Sequence, residues 1–172
     1  GFTSRKYIYL NLGASAEKKR WMVKRFSELA SRILKNTPWN VMLGGGGPDD
    51  HKRSLAILSQ LNSPRVSTDC SHSLMESASI ISQARLMVTT DTGPMHIGFA
   101  VRTPVLGLFG TFSPMSTGPY EIPDHLCRVI TIKQEDQVSC DEESLGESYF
   151  RYVTVDRVWG QVEKMLADKS ST

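Results

Sequence analysis

The stretch VTTDTGPMHIGFAV places an acid, a hydroxyl, a glycine and a histidine at the junction of two apolar runs. In order these residues are Asp91, Thr92, Gly93 and His96, and Pro94 opens the second run. A hydroxyl or carboxylate followed closely by proline is typical of a helix N-terminus. The first N–H groups of such a terminus are either capped by a side chain or available to an anion. We expect Asp91 or Thr92 to cap the helix whether or not a ligand binds, and we expect a lone histidine to be structural.

Other loops of the chain have the composition of a phosphate-binding site. One contains Ser15 and the cationic run KKR at 18–20, a second contains four glycines at 44–47, and a third contains glycines and hydroxyls at 110–118. Small residues expose backbone N–H groups, and a lysine adds a full charge and stronger hydrogen bonds. The four glycines match no specific phosphate motif, so alone they indicate only a turn. Three exposed cations at a helix start oppose the helix dipole by up to about 1 kcal/mol each, which favours an anionic ligand beside them.

Strand-like and helix-like segments alternate along the chain and must position these loops. The pattern predicts strands in 7–13, 40–47, 65–68, 86–90, 103–110 and 127–133, and helices beginning near 21, 48, 71, 94 and 155. Such alternation predicts right-handed βα units and a mainly parallel sheet with helices on both faces. We interpret residues 1–172 as one α/β, Rossmann-like, doubly wound domain, with Trp21 and Phe26 in its core. Ligands bind such sheets at the carboxyl ends of the strands, where the loops named above fall.

Composition excludes several classes of protein. The chain has 172 residues, 40% of them hydrophobic, and a net charge of +2, which gives no argument for a nucleic-acid partner. No apolar run reaches the roughly 20 residues of a membrane span, and no signal peptide is visible. Cys70, Cys127 and Cys140 are odd in number and fit no zinc spacing, so we expect free thiols in a reducing compartment. The residues alone therefore indicate a nucleotide- or phosphate-binding domain, and the leading Gly1 suggests that the natural protein is longer.

Several motifs in a fixed order resemble one enzyme family. DTGPMHIGFAVRTPVLGLFG followed by STGPY resembles the signature of the ADP-heptose:lipopolysaccharide heptosyltransferases, glycosyltransferase family 9. LNLGASAEKKRW and VMLGGGGPDD are similar to the phosphate-loop segment and the strand–glycine–acid segment of that family, and the match runs from about residue 7 to 166. Two features depart from the family pattern: TFSPM replaces the commoner PT(D/S)P, and Gly98 stands where alanine is usual. We expect the first to affect sugar selectivity and the second to affect packing.

The resemblance implies a two-domain GT-B glycosyltransferase of which this chain is the C-terminal, donor-binding half. The full-length enzyme would move a heptose or related sugar from an ADP-sugar to a lipopolysaccharide core acceptor, with inversion and without a metal or other cofactor. The N-terminal acceptor domain and its general base have no counterpart here. No catalytic residue is therefore expected in this chain, Asp91 included, and the chain alone is expected to be inactive.

The resemblance also implies which residues bind the donor. The donor-binding set is Ser15, Lys19, Asp50, His72, Asp91, Thr92, Gly93 and Pro94, and the residues expected to be structural at the site are His96, Gly46 and Gly47. In this set, Lys19 and Ser15 contact the donor phosphates, Asp91 contacts the sugar, and the turn after it receives the diphosphate. Asp50 would hold the ribose hydroxyls, and His72 would lie near the adenine pocket.

Partners and location follow from the same resemblance. The implied partners are ADP-heptose or a similar nucleotide sugar and, through the missing domain, a lipid A–core acceptor, with no nucleic acid. A cytoplasmic location is implied, with peripheral association with the inner face of the inner membrane as an open option. Two alternatives remain: another GT-B enzyme such as a UDP-sugar 2-epimerase, and a non-catalytic nucleotide-binding module. The donor sugar, the acceptor and the oligomeric state are not determined by the sequence.

Overall fold

A computed structural model describes residues 6–14, 19–71, 73–110, 118–119, 121–131, 150 and 152–168. Three residues singled out from the sequence, Ser15, His72 and Cys140, lie outside the described residues, as does the departing TFSPM segment. The glycine-rich and cationic segments that bound the predicted site are described except at 15–18 and 111–117.

Six parallel strands form one sheet in the order β3-β2-β1-β4-β5-β6. They are β1 (Tyr7–Asn11), β2 (Asn40–Gly44), β3 (Val66–Thr68), β4 (Leu86–Thr90), β5 (Val105–Phe109) and β6 (Cys127–Thr131). In the centre, Leu10 of β1 lies opposite Leu43 of β2 on one side and Val88 of β4 on the other. Central strands of a parallel sheet are covered on both faces, which explains their continuous apolar runs. The predicted Rossmann-like, doubly wound fold is confirmed.

In the part of the chain that the structure describes, five helices cover the two faces of the sheet. They are α1 (Val23–Asn36), α2 (Pro48–Leu61), α3 (Leu74–Ser82), α4 (Gly93–Ala100) and α5 (Val155–Ala167). Alternate residues of β1 enter different cores: Leu10 packs with residues of α1, α2 and α5, whereas Tyr9 packs with residues of α3 and α4. This alternation follows from the two-residue period of a strand. Helices that leave the sheet on opposite faces create the crevice in which the site lies.

Local sequence signals explain where the helices next to the site begin. Pro48 occupies the first turn of α2, and Asp50 Oδ2 accepts a hydrogen bond of 3.3 Å from the Gly47 N–H. At α3, Ser73 and Glu76 form a reciprocal capping box, with bonds of 3.2 and 3.1 Å. These caps satisfy N–H groups that have no partner inside the helix.

Gly98 is a packing residue, as its departure from the family pattern suggested. A Cβ added there would lie 2.9 Å from Val105 Cγ2 and 3.1 Å from Met87 Sδ. An alanine at this position would therefore require the Val105 and Met87 side chains to shift.

The predicted core residues Trp21 and Phe26 are fully buried, with ring centroids 4.8 Å apart in an edge-on arrangement. Trp21 Nε1 also donates to the Val153 carbonyl at 2.8 Å, which joins the start of α1 to the segment before α5. Cys70 and Cys127 are free thiols, as expected. Burial, with a smaller contribution from Asp124, raises the pKa of Cys127 to about 11. Within the described segments, no helix has the length and apolar character needed to cross a bilayer.

Candidate functional site

A cavity of about 550 Å³ opens at the carboxyl ends of β1 and β4. This is the position at which the strand order reverses, where β1 leads to a helix on one face and β4 to a helix on the other. The cavity is lined by Gly13, Ala14, Lys19, Gly46, Gly47, Asp50, Asp91, Thr92, Gly93, Pro94 and His96. Three of the loops selected from the sequence, those after β1, β2 and β4, therefore meet at one site.

Lys19 and Asp91 form an ion pair in the cavity, with 2.8 Å between Nζ and Oδ2. The lysine comes from the loop after β1 and the carboxylate from the end of β4, 72 residues further along the chain. Their side chains are 21% and 8% exposed. A cation and an oxygen acceptor are thus held side by side, and both are accessible to a ligand that enters the cavity.

No side chain in the described part of the chain caps the N-terminus of α4, and the predicted cap at Asp91 or Thr92 is wrong. Thr92 occupies the cap position, but its hydroxyl accepts from Asn11 Nδ2 at 3.0 Å and donates to the Thr90 carbonyl at 3.2 Å. The Asp91 carboxylate accepts a hydrogen bond from Lys19 Nζ instead. Because Gly93 and Pro94 line the cavity, the positive end of the helix faces that space, and no carboxylate or hydroxyl of the described residues caps it.

Asp50 also lines the cavity, but both of its carboxylate oxygens already bind protein groups. Oδ1 accepts from Arg20 Nη1 at 2.8 Å and from Arg53 Nη1 at 3.2 Å, while Oδ2 accepts from the Gly47 N–H. The side chain is 10% exposed. The structure therefore places Asp50 at the site as part of its framework, and its contact with ribose stays a prediction.

Arg20 was not assigned a role from the sequence, although it stands next to Lys19. Its Nη1 donates to the Leu12 carbonyl at 2.7 Å as well as to Asp50. The signal available in the sequence was the pair of adjacent cations. Their side chains extend to different sides of the loop, so Lys19 faces the cavity and Arg20 faces the Leu12 carbonyl and Asp50.

Asn11 is a second residue that the sequence reasoning missed. It ends β1 and is fully buried, with Nδ2 donating to Thr89 Oγ1 at 2.9 Å and to Thr92 Oγ1 at 3.0 Å. Its Oδ1 has no hydrogen-bond partner among the residues that the structure describes. A polar amide at the end of the apolar run YIYL was the signal that could have identified it. Asn11 connects β1 to β4 and the start of α4.

Close packing requires glycine at positions 44 and 45, just before Gly46 and Gly47, which the resemblance predicts to be structural. A Cβ at Gly44 would lie 1.9 Å from Tyr9 Oη, and one at Gly45 would lie 2.4 Å from Asp50 Cβ. At Gly46 an added Cβ would meet nothing within 4 Å. In the run of four glycines, the first two are therefore needed for packing and the last two line the cavity.

His96 is exposed and lines the cavity, and its ring meets Phe99 edge-on at a centroid distance of 6.2 Å. The structural role of His96 stays a prediction, and its exposed ring is accessible to a ligand in the cavity. Among the described residues, no cluster of three or more His, Cys, Asp or Glu side chains could hold a metal ion.

A second chamber of about 410 Å³ adjoins the cavity and shares Gly46, Gly93 and Pro94 with it. Its other lining residues are Tyr9, Gly45, Ser71, Ser73, Leu74, Ser77, Ile81 and Ile97. Tyr9 Oη donates to Asp69 Oδ2 at 2.8 Å, and burial together with that carboxylate raises the pKa of Tyr9 well above its usual value. The chamber therefore combines apolar walls, serine hydroxyls and a phenol that stays protonated.

Comparison with known proteins assigns the chain to a family. The sequence matches the family described as glycosyltransferase family 9 (heptosyltransferase) over residues 1–145. Lipopolysaccharide heptosyltransferase 2 of Escherichia coli (strain K12) is 30% identical over 162 residues, which cover 89% of this chain and 44% of that protein. The chain spans about half the length of the curated relatives that it matches first.

Solved structures agree with that assignment. E. coli ADP-heptose lps heptosyltransferase II superposes with a TM-score of 0.75 and 26% identity, covering 95% of this chain and 47% of that one. E. coli heptosyltransferase WaaC with ADP superposes with a TM-score of 0.77 over 96% of this chain and 46% of that one, and at 19% identity it shows the shared fold. The chain belongs to glycosyltransferase family 9.

Proposed function

We propose that this chain is the donor-binding domain of a heptosyltransferase and that its cavity binds the diphosphate of a nucleotide sugar. The observation that carries the proposal is the convergence of Lys19 and the uncapped N-terminus of α4 on one cavity. A helix N-terminus supplies N–H donors and partial positive charge, and a lysine supplies a full charge. Together they form an anion site at the position where such sheets bind ligands.

The same groups can stabilise the leaving group of glycosyl transfer. Breaking the bond between the anomeric carbon and the diphosphate leaves negative charge on the departing nucleoside diphosphate. Preorganised donors that face this charge stabilise the transition state more than the ground state. Lys19 would supply one such interaction and the backbone at Gly93 another. Asp91, beside the lysine, would accept hydrogen bonds from the sugar hydroxyls.

The second chamber fits the nucleoside end of the same ligand. It borders the cavity, because Gly46, Gly93 and Pro94 line both spaces, and we infer that one elongated molecule occupies the two together. Apolar walls with a few polar groups are typical of small-molecule sites and suit a flat base. The heptosyltransferases whose names mention ADP or ADP-heptose support adenine as that base. The contact of His72 with adenine stays a prediction.

The complete reaction requires more than this chain. Since the chain spans about half the length of its relatives, the acceptor site and the general base that deprotonates the acceptor hydroxyl would come from the rest of the protein. The proposed acceptor is the lipopolysaccharide core, and the proposed transfer inverts the configuration at the anomeric carbon of the sugar. The cytoplasmic location and the peripheral association with the inner membrane stay predictions.

A nucleotide panel tests this function. ADP, UDP, GDP and inorganic phosphate are added separately to the chain, and the shift in its melting temperature is measured. A ligand that binds only the folded state raises that temperature. We expect the largest shift with ADP. A larger shift with UDP would support the epimerase alternative, and no shift with any nucleotide would contradict a donor-binding role.

A further inference from the structure

Two adjacent cations at the end of the β1–α1 loop bind partners on opposite sides. Lys19 Nζ reaches Asp91 Oδ2 at the end of β4, and Arg20 Nη1 reaches Asp50 Oδ1 in the first turn of α2, both at 2.8 Å. These two contacts join the loop to the two other loops that line the cavity. The loop is therefore fixed on one side by Arg20, while the lysine on the other side faces the ligand space.

The guanidinium of Arg20 also holds the backbone of its own loop. Its Nη1 donates to the Leu12 carbonyl at 2.7 Å, and its Nη2 lies 3.5 Å from the Ala14 carbonyl. These two carbonyls flank Gly13, which lines the cavity. A planar guanidinium with fixed donor directions can bind two carbonyls and a carboxylate at once, which a lysine ammonium cannot do in the same geometry.

Burial makes this arrangement rigid. The side chains of Arg20 and Asp50 are 11% and 10% exposed, so salt and water screen their attraction little. Gly13 itself leaves little room: a Cβ there would lie 3.1 Å from Asp50 Oδ2 and 3.4 Å from Gly45 Cα. The loops after β1 and β2 are thus packed together around the Arg20–Asp50 pair.

We propose that Arg20 is a positioning residue for diphosphate binding. By binding the Leu12 and Ala14 carbonyls and Asp50, its side chain fixes the backbone at position 20, next to Lys19, so that the ammonium stays in the cavity. This inference rests on the proposed function of the cavity. Among the described residues, those that line the cavity include Lys19 but not Arg20, whose guanidinium donates to two backbone carbonyls and to Asp50. Arg20 therefore acts through Lys19. The contribution of Lys19 to ligand affinity should therefore depend on Arg20.

A double-mutant cycle measures this dependence. Dissociation constants for ADP are determined by calorimetry for the wild-type chain, Lys19→Ala, Arg20→Gln and the double variant. If two residues are independent, the fold-changes in dissociation constant caused by the single substitutions multiply in the double variant. If the residues are in contact or coupled, they do not. We expect Arg20→Gln to weaken ADP binding by about fivefold to tenfold and the double variant to bind within about twofold of Lys19→Ala alone. Single effects that multiply, or an Arg20→Gln variant that binds ADP as the wild type does, would overturn the inference.

Matched variants separate positioning from stability. Arg53→Gln removes a contact of 3.2 Å with the same Asp50 oxygen from within α2, so its effect should multiply with that of Lys19→Ala. Coupling of equal size for Arg53 would show that Asp50, and not the loop backbone, transmits the effect. Arg20→Gln can fail to fold because Asp50 loses its partner. In that case the cycle with Lys19→Ala is measured with Arg20→Lys, and again with Arg20→Gln in a chain that carries Asp50→Asn. A wild-type chain that does not bind ADP contradicts the proposed function, whereas a chain that binds ADP without coupling contradicts only the role of Arg20.

Discussion

Individual side chains around the cavity divide into those that can bind a ligand and those that hold the binding groups in place. Lys19, Asp91 and the start of α4 face the open space, whereas Arg20 binds the Leu12 carbonyl and Asn11 binds the Thr92 hydroxyl. Residue type alone does not separate these two roles. Lysine and arginine stand next to each other in the sequence, and only the direction of each side chain distinguishes the cation that lines the cavity from the one that binds carbonyls.

The glycine-rich loop gives a residue-scale prediction about stability. Gly45→Ala places a Cβ 2.4 Å from Asp50 Cβ, so the loop or α2 must shift, and we expect a loss of about 1–3 kcal/mol in the free energy of unfolding. Gly46→Ala is the matched control, because its Cβ meets nothing within 4 Å and should change that free energy by less than about 0.5 kcal/mol. Urea denaturation measures both. Equal losses in the two variants would show that the packing around Asp50 does not require the glycine.

The elements of secondary structure were largely predictable from the sequence, because apolar runs separated by glycine and proline indicate both their type and their order. The six strands and five helices all occur within a few residues of their predicted positions; for example, the strand predicted at 103–110 is Val105–Phe109. The site was predictable only in part. Strand ends identified the loops, but the Lys19–Asp91 and Arg20–Asp50 pairs depend on how those loops pack in three dimensions. The missing cap on α4 also depends on Asn11, whose side chain binds the Thr92 hydroxyl.

The C-terminal end of α1 gives an element-scale prediction. Arg65 donates to three carbonyls at that end, those of Leu34, Thr37 and Trp39, at 2.8, 2.7 and 2.6 Å. Hydrogen bonds that involve a charged group contribute about 1.5–3 kcal/mol, so Arg65→Ala should lower the free energy of unfolding by an amount in this range.

Arg32 is the control for this substitution. Arg32 lies on α1 itself, but its ion pair with Asp156 is at the surface, where such pairs contribute little to stability. Arg32→Ala should therefore change stability by less than about 0.5 kcal/mol. Chemical denaturation that finds the two variants equally stable would show that Arg65 does not support the end of α1.

The described part of the molecule is one sheet with a core on each face, and the site lies where the elements of both faces meet. Tyr7 and Tyr9 of β1 pack in the core under α3 and α4, and their phenols donate to the Ile80 carbonyl and to Asp69 respectively. Burial, with a contribution from Asp69, raises the pKa of Tyr7 to about 12 and that of Tyr9 well above its usual value. The folded state therefore favours protonated phenols in the core that adjoins the site.

This protonation predicts the stability of the whole chain at high pH. The unfolded chain releases the Tyr7 proton near pH 10, whereas the folded chain keeps it until about pH 12. The stabilisation is fully present below pH 10 and is lost as the pH rises through the folded pKa, so the free energy of unfolding should fall across that window.

Tyr7→Phe removes one of these protons and checks the assignment. The variant should lose less stability than the wild type between about pH 8 and pH 11, even if it is less stable at the lower pH because its bond to Ile80 is absent. Urea midpoints at the two pH values provide the comparison. An equal or larger loss in the variant would contradict the role of this phenol.

We infer that Lys19 and the N-terminus of α4 hold a nucleoside diphosphate in the cavity. Titration calorimetry with ADP tests it most directly, with the wild-type chain, Lys19→Ala and the exposed-lysine control Lys52→Ala, after melting curves show that all three are folded. We predict that Lys19→Ala weakens ADP binding by about 1.5–3 kcal/mol, the size of a charged hydrogen bond, while Lys52→Ala binds ADP as the wild type does. Unchanged ADP affinity in Lys19→Ala would show that Lys19 does not bind the diphosphate.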